Sequence, residues 1–294
     1  MTNVSSALRD SDGTASVDTM ATMKIAPVRR PVQWIATGVV LILLVLLLVS
    51  VGRNPNMGWD VVGHYLLDDA VLRGVRWTLV LTVLIMALAT ALGIVVAVMA
   101  TSGNRVLSAT AALFLWFFRG TPLLVQIIFW FNLALIFPRL GPAMFLGEGF
   151  GGVETNSVIN WFVAALLAFG LHQGAIMSEI VRGGFLGIER GQTEAAQSLG
   201  MTAAQTLRRV LLPQTLRIIV PPSMNQFVDV LKGTALVAFI AGQDLLSSVQ
   251  FIYAKNFQVI PLLIVASIWY LALVSVATVV QYFVERRLGL GYGK

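Results

Sequence analysis

Long uncharged runs alternate with short polar interruptions along this chain, and the lengths of the runs decide what they are. From Pro31 to Gly52 no residue is charged and Leu, Val and Ile dominate. That run reaches the roughly 20 residues a helix needs to cross the apolar part of a bilayer. Further uncharged stretches extend from Trp77 to Asn104, Gly120 to Pro138, Thr155 to Ser178 and Asn256 to Val284, each long enough to span. A sixth region, Ile218 to Gln243, is apolar but carries Asp229 and Lys232 near its middle, Pro221 and Pro222 near its start, and Gly233 just after the lysine. It reads as a broken span unwound near Gly233, whose freed backbone groups must pair within protein or line a water-filled cavity. The pattern predicts an all-α membrane protein with six spans and both termini on one side.

Two segments fall outside this alternation. Residues 1–30 are rich in Ser, Thr and Asp and low in hydrophobicity, the composition of a disordered tail. The run after it, residues 31–53, is longer than the 7 to 15 apolar residues of a signal peptide and ends in Val49, Ser50, Val51, so it is expected to stay as an anchor helix.

Composition agrees with the membrane reading. Hydrophobic residues make up 57% and charged residues 12% of the chain, against about 25% charged in soluble domains. The net charge of +6 then reports topology rather than nucleic-acid binding. With the termini in the cytoplasm, Arg9, Lys24, Arg29, Arg30, Arg105, Arg182, Arg190, Arg208, Arg209, Arg217, Arg286, Arg287 and Lys294 fall inside, thirteen of the 20 Lys and Arg. Five fall outside (Arg53, Arg73, Arg76, Arg139 and Lys255), and Arg119 and Lys232 lie at or in the membrane. The excess inside favours cytoplasmic termini. With no cysteine, disulfides and thiolate chemistry are excluded.

One polar interruption stands out. "GQTEAAQSLGMTAAQTLRRVLLP", Gly191 to Pro213, is Ala-rich and basic and falls on the cytoplasmic side. Its local chemistry predicts a helix capped by Thr193 with Glu194 in its first turn, an ending at Gly200 in the left-handed region, and a second helix opened by a Thr202–Gln205 capping box and closed before Pro213. Leu199 and Met201 flank the turn, so the tip offers apolar side chains to the cytoplasm. That is the pattern either of a docking surface or of an ordinary hairpin packed on the membrane body.

The spacing Glu194-Ala195-Ala196, three residues, Gly200, nine residues, Val210, one residue, Leu212-Pro213 resembles the signature of ABC importer permeases, with Val in place of Ile. "FFRGTPLLVQIIF", "SEIVRGG" and "LPQTLRIIVPPSMNQFVDVLKGTAL" are similar to the polar amino-acid branch of that family. The branch often has Lys-Asp-Thr-Ser-Leu where this chain has Lys232 to Leu236 with Gly233 and Ala235, and often Tyr where it has Ile176. The resemblance covers about Arg73 to Arg287 and implies the type I permease fold, a five-helix core to which residues 31–53 add an extra amino-terminal helix. It also implies a coupling hairpin over residues 189–213, with Glu194, Ala195, Ala196, Leu199, Gly200, Met201, Leu212 and Pro213 seated in a groove of an ATPase. The partners would be two ATPase subunits that carry the ATP and Mg, a second permease subunit and an extracytoplasmic amino-acid-binding protein, with the chain itself a multi-pass component of the bacterial plasma membrane.

Candidate pathway residues follow from intramembrane polarity. Asp229 and Lys232 lie three apart and share a helix face; they either meet substrate in the pathway or form a structural pair. Asn225 falls on the same face one turn earlier. His172, Gln173 and Gln126 sit within apolar spans, as ligand contacts or as interhelical glue. Glu179 and Arg182, three apart at the end of a span, are expected to form an interfacial ion pair, while Arg119 snorkels ahead of a helix begun by Thr121 as cap and Pro122. Catalysis finds no support, because the two histidines, His64 and His172, stand in no metal motif and "GLGYGK" lacks the spacing of a phosphate loop. The chain binds no cofactor on this reading. The alternative is a secondary transporter or channel, which would need neither the hairpin nor an ATPase.

Overall fold

In a computed structural model, residues 31–147 and 150–288 are described; the expected tail over residues 1–30 lies outside them. The chain divides into two units, Met1–Met57 and Gly58–Lys294. In the first, α1 (Pro31–Arg53) is apolar on every side, with Ile35, Leu41, Leu44 and Leu48 all exposed. A helix without a polar face has no use for water, and 23 residues extend about 35 Å, enough to cross a bilayer.

The second unit is a helical body. A short α2 (Trp59–Tyr65) leads into α3 (Asp69–Ala100), which Asp68 opens by accepting a hydrogen bond from the Ala70 amide at 2.8 Å. Then come α4 (Arg105–Gly120) and α5 (Leu123–Phe131), bent by 98° across Thr121 and Pro122. An antiparallel pair of two-residue strands, β1 (Arg139–Leu140) and β2 (Val153–Glu154), sets Arg139 opposite Glu154. Between the strands lies α6 (Pro142–Leu146), and after them α7 (Thr155–Val158). Next, α8 (Trp161–Leu186) is capped by the Asn160 side chain, which accepts from Phe162 and Val163 amides at 3.0 Å.

The rest of the body is α9 (Arg190–Ser198), α10 (Ala203–Thr206), α11 (Leu212–Gly233), a 3-10 segment Thr234–Ile240, α12 (Leu245–Asn256) and α13 (Val259–Arg287). Among the described residues four helices are long and apolar enough to cross a membrane, or up to six if each bent pair is one span.

The centre of the body is the packing of α3 on α8, and small residues make it possible. A Cβ built on Gly93 would lie 2.7 Å from Met177 Cβ, one on Gly174 would lie 3.0 Å from Leu92 Cβ, and one on Gly170 would strike Leu88. Gly170 and Gly174 are four apart and therefore on one face, the arrangement that lets membrane helices approach closely. Around this seam Leu81, Ile85, Ile127, Phe169, Val230 and Val237 form the main core. A second cluster joins α2, α3, α12 and α13 through Val62, Val71, Leu245, Val249, Leu262 and Val265.

Several local expectations are corrected. The stretch Gly120–Pro138 is not one helix: it begins in the bend and stops at Phe131, so the apolar run is shared by two elements. Thr121 does not cap α5. Its hydroxyl donates back to the Phe117 carbonyl at 2.8 Å, closing α4, and Pro122 holds the N-cap position. The sixth region is not unwound at Gly233: α11 runs through Pro221 and Pro222, ends at Gly233 and passes directly into the 3-10 segment from Thr234. The break lies downstream, where Ala241 takes φ 51° and the axis turns by 43° into α12. Gly233 is small for another reason, since a Cβ there would meet Phe169 at 3.2 Å.

Candidate coupling hairpin and polar clefts

The hairpin between α8 and α11 is held by backbone chemistry at its turn. Gly200 adopts φ 73°, which favours glycine. Its amide donates to the Gln197 carbonyl at 2.9 Å and the Met201 amide to the Ala196 carbonyl at 3.1 Å. These two bonds are the Schellman ending of a helix. Immediately after it Thr202 and Gln205 form a reciprocal capping box, with the Thr202 amide donating to Gln205 Oε1 at 2.9 Å and the Gln205 amide to Thr202 Oγ1 at 3.3 Å. Leu199 at the tip is 82% exposed, while Ala196 is buried beneath it. Glu194 and Ala195 are exposed and Met201 is half-buried.

The two ends of this hairpin differ from expectation. Its first helix begins at Arg190 with Glu189 at the N-cap position, so Thr193 lies inside it and caps nothing. Its second arm does not stop before Pro213. A π-turn over Leu207–Leu211 carries the backbone into α11, the Leu212 amide donating to the Leu207 carbonyl, and Pro213 occupies the first turn. Proline is tolerated there because its missing N–H is not needed. At the base, a Cβ on Gly184 would strike Ile219 and lie 3.2 Å from Thr215 Cγ2, and one on Gly187 would lie 3.0 Å from Ile218 Cδ1. The hairpin is therefore mounted on two helices that touch.

The polar residues within the body fall into three groups. Lys232 Nζ pairs with Asp229 Oδ1 at 3.1 Å. One turn earlier Asn225 Oδ1 accepts from Gln281 Nε2 at 3.0 Å, which also donates to Glu285 Oε1 at 2.9 Å. An open cleft of about 600 Å³ runs along Asn225, Asp229, Thr278, Gln281, Tyr282 and Glu285. Gln281 and Glu285 escape the reading of the sequence, although two polar residues four apart in an otherwise apolar helix were a signal for a shared face.

The second group is a charge cluster. Arg182 pairs with Glu179 at 2.6 Å, as their spacing predicts, and Arg119 reaches the same carboxylate at 4.0 Å. Arg119, in the last turn of α4, thus also meets a carboxylate of α8. Arg119, Glu179, Ile218, Pro222 and Gln226 line a cavity of about 450 Å³.

In the third group Gln126 and His172 are brought together, Nε2 to Nδ1 at 3.4 Å. Gln126 Nε2 also reaches the carbonyls of Phe118 and Thr121 at 3.1 and 3.2 Å and Thr121 Oγ1 at 2.7 Å. Gln173, next to His172 in sequence, is buried, and among the described residues the Oε1 atoms of both glutamines lack a partner. Asn225 and Asp229 thus share one cleft on α11, with Lys232 paired to Asp229 but not lining it, while Gln126 and His172 meet at the bend between α4 and α5. Among the described residues no group of three His, Asp or Glu is arranged to hold a metal.

A helical body that mounts a tip-exposed hairpin on two touching helices has the layout that the sequence resemblance implies for a transport component. The chain belongs to the family described as the inner membrane component of binding-protein-dependent transport systems, whose pattern matches residues 89–290. It is 38% identical over 267 residues to the arginine transport system permease protein ArgU of Corynebacterium glutamicum, covering 90% of this chain and 83% of that protein. To the L-cystine transport system permease protein TcyB of Bacillus subtilis it is 34% identical over 216 residues, covering 73% and 85%. Its fold matches a crystal structure of an amino acid ABC transporter with histidines, at a TM-score of 0.62 and 29% identity, over 74% of this chain and 94% of that one. The fold is thus that of ABC importer permeases, and this membership favours the importer reading over a secondary transporter or channel.

Proposed function

We propose that this chain forms, with a second permease subunit, the translocation pathway of an ATP-driven importer for a polar amino acid, and that the amino acid is basic. The hairpin carries the proposal: its tip exposes Leu199 at 82%, and its base is fixed to α8 and α11 by the close approach at Gly184. A displacement of the tip must move the helices that bear Glu179 and Asp229. Two ATPase subunits, holding ATP and Mg, would seat Glu194 to Met201 and drive alternating access. An extracytoplasmic binding protein would deliver substrate. Cytoplasmic termini, six spans and a bacterial inner membrane fit the distribution of Lys and Arg.

The basic class rests on two observations. The open cleft on α11 and α13 is lined by the carboxylates of Asp229 and Glu285 and by no cation, since Lys232 pairs with Asp229 but does not line it, and ArgU is named for arginine. The test is ATP-dependent uptake by the reconstituted chain with its copurifying partners and a binding protein, across acidic, basic and neutral amino acids. Uptake of basic amino acids alone is expected. Preference for acidic or neutral ones would overturn the substrate class, and uptake without an ATPase would overturn the importer reading.

A further inference from the structure

A third cavity, a groove of about 520 Å³, lies between the first turns of α3 and the side of α12, within the range of small-molecule pockets of about 300–1,000 Å³. Its place is fixed by Trp77, which lines it and stacks edge-on against Trp161 with ring centroids 5.5 Å apart. Trp161 is the first residue of α8 and Leu186 the last, so the groove lies at the end of α8 away from the hairpin, about 39 Å along the helix axis. It is separate from the Asp229 cleft.

The walls are prearranged. A Cβ on Gly74 would lie 2.9 Å from Leu245 Cα and Ser248 Cβ, so this glycine sets the close spacing of α3 and α12. Trp77 is braced a second time by Phe162 at 5.7 Å. Tyr65 is held by Asn256, whose Nδ2 donates to its hydroxyl at 3.3 Å. A rigid aromatic wall is thus in place before any ligand arrives.

The charges in the groove are not spent on one another. Arg73 and Lys255 line it and enter no ion pair or side-chain hydrogen bond among the described residues. Asp68 also lines it; one carboxylate oxygen caps α3, and the other is open. Two unpaired cations and one carboxylate with a free oxygen, beside a fixed indole, match a ligand that brings its own carboxylate and its own ammonium. We propose that this groove is an outer station for the zwitterionic head group of an α-amino acid. The carboxylate lies between Arg73 and Lys255, the ammonium faces Asp68, and the side chain lies along Trp77. The wall carries one more cation than anion, so a carboxylate is the required feature of the ligand. The station rests on the reading of the chain as an amino-acid permease. It gives incoming substrate a holding site before the pathway opens.

The test uses the whole transporter, this chain with its copurifying subunits in lipid nanodiscs, without binding protein. Saturable binding of radiolabelled L-arginine is measured against competing L-arginine, agmatine, which lacks the carboxylate, and L-arginine methyl ester. Asp229→Asn, placed in the other cleft, isolates the groove. On that background Arg73→Gln with Lys255→Gln is expected to weaken L-arginine binding about tenfold or more, the loss expected on removing a charge-assisted hydrogen bond. Asp68→Asn is expected to weaken it likewise, and it keeps the helix cap because Asn caps as well as Asp. Agmatine and the ester should fail to compete. Unchanged L-arginine binding in the Arg73, Lys255 and Asp68 variants overturns the proposal. If those variants instead lose only their association with the binding protein, the groove is a protein-docking surface and the small-molecule site falls. A wild-type transporter that binds and imports no amino acid removes the transport reading itself, a result separable from loss of binding confined to the variants.

Discussion

Lys232 Nζ lies 3.1 Å from Asp229 Oδ1 on one face of α11, and both side chains are more than half exposed, at 55% and 56%. Exposed pairs contribute about 0.2–1 kcal/mol, so the fold does not depend on this one. Charges placed within an apolar helix yet contributing so little to stability point to the pathway. Asp229→Asn is therefore expected to leave the amount of inserted transporter unchanged while raising the KM for uptake of a basic amino acid about tenfold, the loss of one charge-assisted contact. Equal KM values for the variant and the wild type would remove Asp229 from the pathway.

At the hairpin tip, shape and chemistry separate into two substitutions. Gly200→Val places a β-branched residue at φ 73°, a left-handed conformation that costs about 1–2 kcal/mol per residue with a Cβ, and distorts the turn. Leu199→Asp keeps the backbone and changes only the exposed apolar tip. Both, together with Glu194→Lys, are expected to abolish ATP-driven uptake and reduce copurification of the ATPase while the chain still inserts. Full uptake by Leu199→Asp would show that the tip is an ordinary surface.

Two glycines of α8 should respond in opposite directions. A Cβ added at Gly174 would lie 3.0 Å from Leu92 Cβ, whereas one added at Gly183 would meet nothing within 4 Å. Gly174→Leu overpacks the seam between α3 and α8 at a cost of about 1–3 kcal/mol. Gly183→Ala relieves the disadvantage of glycine in a helix, about 0.5–1 kcal/mol. Thermal unfolding in detergent should show the first variant less stable and the second more stable than wild type. The same shift in both would mean that the seam does not control stability.

What the sequence disclosed, and what it hid, divides along local and long-range causes. Gly200 and the Thr202–Gln205 box were legible because each depends on a few consecutive residues, and the Arg182–Glu179 pair was legible from its spacing. Thr193 misled because a good cap residue does not choose where a helix starts, and the backbone was already helical from Arg190. Gly233 misled because a glycine can be small for the sake of a neighbour, here Phe169 on another helix. The Arg119–Glu179 contact and the Asn225–Gln281 bond join residues far apart in the chain, and no local pattern encodes them. Lengths of apolar runs located the four helices long and apolar enough to cross a membrane but not the 98° bend, whose angle is set by contacts such as the Gln126 brace from within the next helix.

That brace separates the two roles open to Gln126. Its Nε2 lies within hydrogen-bond reach of the carbonyls of Phe118 and Thr121 and of Thr121 Oγ1, and the two carbonyls lie where the bend interrupts the helical ladder. In a membrane interior no water replaces a lost donor, and each unsatisfied buried group costs about 1–3 kcal/mol. Gln126→Leu therefore should lower thermal stability in detergent while the KM of the remaining folded transporter stays close to wild type. Gln126→Glu keeps the size but offers an acceptor where donors are required, and should destabilise at least as much. A residue that held substrate would do the reverse, with KM rising and stability unchanged. Finding that second pattern would move Gln126 and His172 from the framework of the bend into the pathway.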